Sequence, residues 1–328
     1  MVKESLACGY NVNSLNTNGR SPLHIACSDS NISSEIIELL LAQNPNLGLR
    51  NKCGETALHL AVESRQKRLV ECLLAQGARV DLKDVFGNTP LHTAAINSLP
   101  DIASKLLKVT IDVNRRNSWG QTPLHLSVLA GDAEGTIQLL AAGADPTIHD
   151  RNGQTTLHVA SPEIIQIMMD NNISLELTDI NGRTPLFSAA IEGELEKVSY
   201  LIANNAYINA LDINLSTALH EATHPKVTKC LLEAGIAIDH QDREGNSPLH
   251  KAAQRGLLAI VNQLIDAGAN SFLGTNKGAL ALHLAAGENH VEIVKMLDKY
   301  NDKVQVVPSS LLNNLSRREG LLDNLECK

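Results

Sequence analysis

Short groups of apolar residues alternate with polar turn residues along this chain, and residues 117–149 show the pattern clearly. One group covers residues 124–129, a Gly131-Asp132 pair interrupts it, and a second group follows at residues 137–140. Groups of this length, separated by residues that break helices, predict two short helices joined by a tight turn.

The residues at the boundaries of the two groups support the same prediction. Thr122 is placed to cap the first helix, and Pro123 falls in its first turn, where a missing N–H is harmless. Gly143 is suited to end the second helix in the left-handed conformation. The residues from Asn117 to Gly120 favour a turn, so the unit is predicted to be a turn followed by helix–turn–helix.

This unit recurs along the chain and is marked by a four-residue motif whose commonest form is Thr-Pro-Leu-His. The motif ends at His24, His59, His92, His125, His158, Phe187, His220, His250 and His283. Successive copies, numbered below as repeats 1 to 9, are 35, 33, 33, 33, 29, 33, 30 and 33 residues apart. A repeat of about 33 residues with this motif resembles the ankyrin repeat family. The resemblance implies an all-α fold, an ankyrin-repeat solenoid of helix–turn–helix units with β-hairpin tips, in which the motif histidine bonds the backbone of a neighbouring repeat.

The repeat pattern divides the chain into three parts. Residues 1–15 match only the second half of a repeat and are expected to form an incomplete N-terminal repeat. Residues 16–303 are predicted to form the array of about nine repeats, two of them shortened near 158–187 and 220–250. A truncated first helix is expected in both, because the missing residues fall between the helices. Residues 304–328 leave the pattern, and their spaced leucines predict a tail or capping helix, with the start of a further domain as the alternative.

Composition and charge limit the classes of function. A net charge of −8 argues against a general nucleic-acid-binding surface, which needs clustered basic residues. Six cysteines without CxxC spacing indicate free thiols in a reducing compartment. The sequence has no apolar signal-peptide core and no apolar run long enough to span a membrane. We expect a monomer in the cytoplasm or nucleus that does not insert into membranes.

A single motif suggests catalysis. Residues 220–224 read His-Glu-Ala-Thr-His, the H-E-x-x-H pattern that places two histidines around zinc on one helix face. His220 is the histidine of its own repeat, however, and Pro225 prevents the helix from continuing normally past His224. We therefore predict no metal, no cofactor and no enzymatic activity.

The resemblance implies that partners bind to the concave face, which is formed by the tips and the first helices. Most tips carry a polar residue before the glycine, but those of repeats 3 and 4 carry Phe86 and Trp119. The predicted apolar stripe comprises Val85, Phe86, Ile96, Trp119 and Leu129, with Phe187 and Ile191 as an extension. Packing of the two aromatic residues on neighbouring tips is the alternative. Arg115 and Arg116 flank the stripe, so a partner with an apolar anchor beside acidic residues is expected.

A second hypothesis, also implied by the resemblance, concerns modification. Tips in this family can be substrates of an asparaginyl hydroxylase, and the matching positions are Asn114 and Asn209, each with a leucine eight residues earlier. Asn13 matches in the tip but has Ser5 at the upstream position. A conformational role for these asparagines is the alternative.

The leading functional prediction is binding of another protein as a scaffold, inhibitor or adaptor. The alternatives are a targeting segment of a larger multidomain enzyme, channel or death-domain protein, an inhibitor of Rel-type transcription factors, and a secreted bacterial effector. All of them share the binding function and differ in its context.

Overall fold

The computed structural model describes residues 11–29, 32–109 and 111–305. These residues form helices and turns, and no strand occurs among them. The predicted incomplete repeat at residues 1–15 and the tail at 304–328 lie largely outside the described residues, so both stay predictions.

The described residues contain eighteen helices, which form nine pairs, one for each copy of the motif. The helices are α1 (Pro22–Ser28), α2 (Ser34–Leu41), α3 (Ala57–Glu63), α4 (Lys67–Ala75), α5 (Pro90–Ile96), α6 (Pro100–Leu106), α7 (Pro123–Leu129), α8 (Ala133–Ala141), α9 (Thr156–Val159), α10 (Pro162–Asp170), α11 (Pro185–Glu192), α12 (Leu195–Ala203), α13 (Ala218–Glu221), α14 (Pro225–Glu233), α15 (Pro248–Gln254), α16 (Leu258–Asp266), α17 (Ala281–Gly287) and α18 (Val291–Gln305). The first helices of repeats 5 and 7, α9 and α13, have four residues each, where the sequence predicts truncation.

The chain forms two compact units, Met1–Pro185 and Leu186–Lys328. In the first unit, the first helices α1, α3, α5, α7 and α9 pack side by side, and the second helices α4, α6, α8 and α10 form a parallel layer. In the second unit, α13, α15 and α17 form one layer, and α12, α14, α16 and α18 form the other. The predicted all-α ankyrin repeat fold is therefore confirmed. No described helix is both long enough and apolar enough to cross a membrane.

The leucine of each motif forms the core of the first unit. Leu58, Leu91 and Leu124 are at most 1% exposed, and burying a leucine side chain stabilises a fold by about 1.5–3 kcal/mol. Alanines such as Ala61 and Ala94 are fully buried beside them. Their small side chains let successive first helices approach closely, which explains a core with so few aromatic residues.

The motif histidine of seven repeats bonds to the backbone of the following repeat. In repeat 3, Thr89 N–H donates to His92 Nδ1 at 3.2 Å, and His92 Nε2 lies 3.2 Å from the carbonyl oxygen of Gln121 in repeat 4. Seven motif histidines make this bond to a later carbonyl, at 2.8–3.4 Å. Both bonds of His92 require a neutral imidazole with the proton on Nε2, because a protonated Nδ1 cannot accept the Thr89 N–H.

Burial lowers the pKa of these imidazoles, since the charged form loses its hydration. The lowered pKa is found for His24, His59, His92, His125, His220 and His250, with desolvation as the largest cause in each. For His92 the pKa falls from 6.5 to about 4. The contribution of His92 to the free energy of unfolding is therefore fully present above pH 6.5. It is lost as the pH falls from 6.5 towards 4, because the histidine of the unfolded chain takes up a proton at a higher pH than that of the folded chain.

The tips are turns that hydrogen-bond to one another. In repeat 3 the tip residues Asp84 to Gly87 are closed by a bond from Asp84 N–H to Asn88 O at 2.9 Å. Ser118 N–H of the next tip donates to Phe86 O at 2.8 Å. The predicted hairpin tips are thus compact turns, aligned by one backbone bond between neighbours.

We expect His92→Gln to weaken the pH dependence of stability. The wild-type protein should lose about 2 kcal/mol more than the variant between pH 7 and pH 5, because His92 is neutral in the fold and charged in the unfolded chain. Urea unfolding at the two pH values measures the difference. Equal losses in the two proteins would show that protonation of His92 does not oppose folding.

Leu215 adopts a conformation that glycine adopts in the other tips of the second unit. Its φ is 62°, beside 80° for Gly245 and 74° for Gly278. A left-handed backbone costs a residue with a side chain about 1–2 kcal/mol, and Leu215 is exposed, so little burial offsets that cost.

We expect Leu215→Gly to raise the free energy of unfolding by about 0.5–1 kcal/mol, because it removes the backbone strain. Gly245→Leu at the equivalent position is the matched control and should destabilise the protein, since a Cβ there would lie 2.5 Å from Asn276 N. Denaturant midpoints measure both effects. A lower midpoint for Leu215→Gly would mean that contacts of the leucine outweigh the strain.

Candidate partner-binding surface

Phe86 and Trp119 lie side by side at the tips of repeats 3 and 4. Their ring centroids are 5.6 Å apart, and the ring planes are inclined by 20°, which is a stacked arrangement. Each side chain is still about half exposed, Phe86 at 53% and Trp119 at 50%. The two interpretations offered by the sequence are therefore compatible, because each ring packs on its neighbour and keeps a large accessible surface.

The remaining members of the apolar stripe are exposed as well. Val85 precedes Phe86 in its tip, while Ile96 and Leu129 are the last residues of α5 and α7. All three are more than half exposed. Neither α5 nor α7 contains a charged residue. The surface offered by the first helices of repeats 3 and 4 is consequently uncharged.

Phe187 does not extend the stripe. Its side chain is 1% exposed, because it holds the motif position that histidine holds in the other repeats, and seven of those histidines are buried as well. Ile191 is half-buried. The extension predicted from the sequence is wrong for Phe187.

Arg116 has a structural role in its tip. Its Nε donates to Gly120 O at 3.0 Å, and its Nη2 donates to His149 O in the next repeat at 2.8 Å. Arg115 lies 3.7 Å from Asp112, within ion-pair distance. Reversing the charge of Arg116 would therefore disturb the tip as well as the surrounding surface.

Arg116 belongs to a series that the sequence reasoning missed, which we call the cation row: Arg50, Lys83 and Arg116. Each donates to the carbonyl oxygen of the equivalent residue one repeat later, from Arg50 to Lys83, from Lys83 to Arg116 and from Arg116 to His149. None of the three has a carboxylate partner among the described residues. The available signal was a long basic side chain recurring every 33 residues, directly before the first residue of the tip.

The acidic residues of these tips are used differently. Asp84 Oδ1 accepts the N–H groups of Phe86 and Asn88 at 2.8 and 2.7 Å. Asp150 Oδ1 accepts those of Asn152 and Gln154 at 2.8 and 3.0 Å. The two carboxylates therefore hold the turns in shape, and the dipoles of the N–H groups offset part of their charge.

Asn114 and Asn209, the predicted modification sites, bind to the backbone of the following repeat. Asn114 Oδ1 accepts Asp145 N–H at 2.8 Å, and Asn209 Oδ1 accepts Ala237 N–H at 2.8 Å. Asn13 makes the same bond with Asn46 N–H, also at 2.8 Å. A conformational role accounts for all three asparagines.

The H-E-x-x-H residues do not form one helical face. Helix α13 ends at Glu221, which pairs with Arg255, and α14 begins at Pro225. His220 is buried and lies 3.1 Å from Asn246 O, whereas His224 packs over Gly193. No cluster of three or more histidine, cysteine or acidic side chains in the described part of the chain is arranged to hold a metal ion.

Comparison with known proteins agrees with this architecture. A family model that describes three copies of the ankyrin repeat matches the chain in five overlapping ranges. These are residues 1–84, 66–150, 130–212, 161–242 and 215–306, which together cover most of the chain.

Curated relatives match over a shorter region. The chain is 32% identical over 143 residues to the B-cell lymphoma 3 protein homolog of Mus musculus, a match covering 41% of this chain and 32% of the relative. It is 34% identical over 122 residues to the human ankyrin repeat and SOCS box protein 11, covering 36% of this chain and 38% of the relative. It is 30% identical over 140 residues to the ankyrin repeat and KH domain-containing protein mask-1 of Caenorhabditis elegans, covering 41% and 5%. Each match thus spans well under two thirds of the relative. The family model covers most of the chain, and it shows that the chain belongs to the ankyrin repeat family.

Proposed function

We propose that this protein binds a partner protein through the apolar stripe of repeats 3 and 4, on the concave face formed by tips and first helices. Ankyrin repeats are a protein-binding fold, generally without catalytic activity. The stacked pair of Phe86 and Trp119 is the observation that carries the location. Both rings keep about half of their surface accessible at the tips, where side chains are not needed for the repeat core.

The shape and the composition of the apolar stripe both favour binding of a partner. Two aromatic rings fixed by stacking lose little conformational freedom when a partner covers them, so most of the buried apolar area contributes to affinity. The first helices α5 and α7 add Ile96 and Leu129 without any charge that would resist desolvation. Exposed apolar patches on proteins commonly mark interfaces.

A second candidate places the array in a larger protein, as its binding segment. The matched relatives carry named additional elements, a SOCS box in one and a KH domain in another. The matched regions also cover only part of those relatives. In such a protein the apolar stripe would hold the partner, and another domain would act on it.

We expect Phe86→Ala/Trp119→Ala to remove the main partner while leaving the fold intact. Truncating a tryptophan at the centre of an interface costs about 2 kcal/mol or more, which corresponds to about thirtyfold in affinity. Affinity purification from cells followed by mass spectrometry measures the loss, after thermal melting has shown similar stability for wild type and variant.

Tyr207→Ala/Phe272→Ala is the matched control, because it removes two exposed aromatic side chains of the second unit. The control should retain the proteins that the stripe variant loses. An unchanged set of captured proteins for the stripe variant would place the binding surface elsewhere.

Hydroxylation of Asn114 and Asn209 stays a prediction. Incubation with an asparaginyl hydroxylase should add one oxygen atom at each of these residues and none at Asn13, whose upstream position is serine. Peptide mass spectrometry measures the modification. Unchanged masses would leave only the backbone-bridging role of these side chains.

A further inference from the structure

The tips of repeats 2 to 5, taken together with the residue directly before each tip, carry an excess of positive charge. These segments are residues 50–54, 83–87, 116–120 and 149–153, and they include the cation row. They contain five cations, Arg50, Lys52, Lys83, Arg116 and Arg151, and two carboxylates, Asp84 and Asp150. The excess of three positive charges is opposite in sign to the net charge of −8 for the whole chain. This edge of the first unit therefore differs electrostatically from the rest of the molecule.

The hydrogen bonds of the tips preserve this excess. Arg50, Lys83 and Arg116 donate to carbonyl oxygens, which satisfies their N–H groups without neutralising their charge. Asp84 and Asp150 instead turn their oxygens towards backbone N–H groups of their own tips, and Asp150 is buried. The positive charges consequently dominate the outer side of the tips.

Arg151 belongs to the tip of repeat 5, directly beside the tip that carries Trp119. Its main-chain N–H donates to Trp119 O at 2.8 Å, so it occupies the tip position beside Trp119. Its side chain is exposed, and the guanidinium makes no hydrogen bond or ion pair among the described residues. Arg115 and Arg116, the cations singled out from the sequence, are by contrast engaged with Asp112 and with the tip.

We propose that the apolar stripe recognises a linear protein segment in which an aromatic or aliphatic anchor is flanked by acidic residues, and that Arg151 selects for the acidic residues. This inference rests on the proposed function. The anchor covers the Phe86–Trp119 pair, and the flanking carboxylates meet the positive tips. A continuous segment crossing the repeats suits this surface, because the tips are joined in register by backbone bonds.

The charge also disfavours the other common ligand of stacked aromatic rings. An ammonium or guanidinium group binds well to an aromatic face when it loses water there. Here such a group would approach the five cations in and directly before the tips and be repelled. A segment rich in lysine or arginine is therefore the wrong partner for this surface.

Selection from a phage-displayed library of random linear peptides on the immobilised full chain tests the inference. Selected peptides should combine tryptophan, phenylalanine or leucine with neighbouring aspartate or glutamate. Their binding should be lost with Phe86→Ala/Trp119→Ala and should weaken as salt is raised, because the attraction between exposed charges is screened.

The role of Arg151 is measured by titrating the wild-type and variant proteins with synthetic copies of the selected peptides. Arg151→Glu should weaken binding by about threefold to tenfold, and Arg151→Gln by less. Arg243→Glu is the matched control, since Arg243 holds the equivalent tip position in the second unit, with its N–H donating to Asn214 O at 2.8 Å. This control should leave the affinity unchanged.

The experiment separates the acidic character of the partner from the location of the binding surface. Neutral or basic peptides that require Phe86 and Trp119 would overturn the acidic partner and leave the apolar stripe as a binding surface. Equal affinity of the Arg151→Glu and wild-type proteins would remove Arg151 as the selecting residue. Peptides that bind independently of the two aromatic residues, or no enrichment at all, would overturn both the inference and the location of the site.

Discussion

The bond from a neutral imidazole to the carbonyl of the following repeat is the constraint on which the rest of the fold depends. Nδ1 of the histidine holds the N–H at the start of its own helix, and Nε2 reaches the neighbouring repeat. One side chain thus ends a turn, starts a helix and fixes the distance to the next unit. The bond recurs in seven repeats, and it is kept in repeats 5 and 7, where the first helix is shortened to four residues.

Fixed backbones leave the side chains of the tips available for recognition. The tips are held by main-chain bonds, by Asp84 and Asp150, and by the cation row, so Val85, Phe86 and Trp119 are not needed to form the turns. A side chain that the fold does not require can vary, and it can therefore be suited to a partner. Leu215 is an exception, because its tip has a leucine at a left-handed backbone position where the other tips of the second unit have glycine.

The sequence predicted the helix pairs, their caps and the two truncated helices, because the motif and the turn residues act locally and repeat nine times. It also predicted the exposure of Phe86 and Trp119, since both stand directly before a tip glycine, where most tips carry a polar residue. It failed for Phe187, where aromatic character suggested a place in the stripe but the side chain is buried at the motif position. The cation row and the position of Arg151 depend on bonds between residues one repeat apart. Such bonds become visible in a sequence only when the tips are aligned and their backbone geometry is known.

Trp119 gives the molecule an optical property as well as a surface. It is the only tryptophan of the chain, it is half exposed, and it is stacked on Phe86. Indole emission of the native protein therefore originates from one tip, and it responds to water, to neighbouring charge and to anything that covers the ring. The intrinsic fluorescence of this protein is a local reporter of repeat 4, obtained without any label.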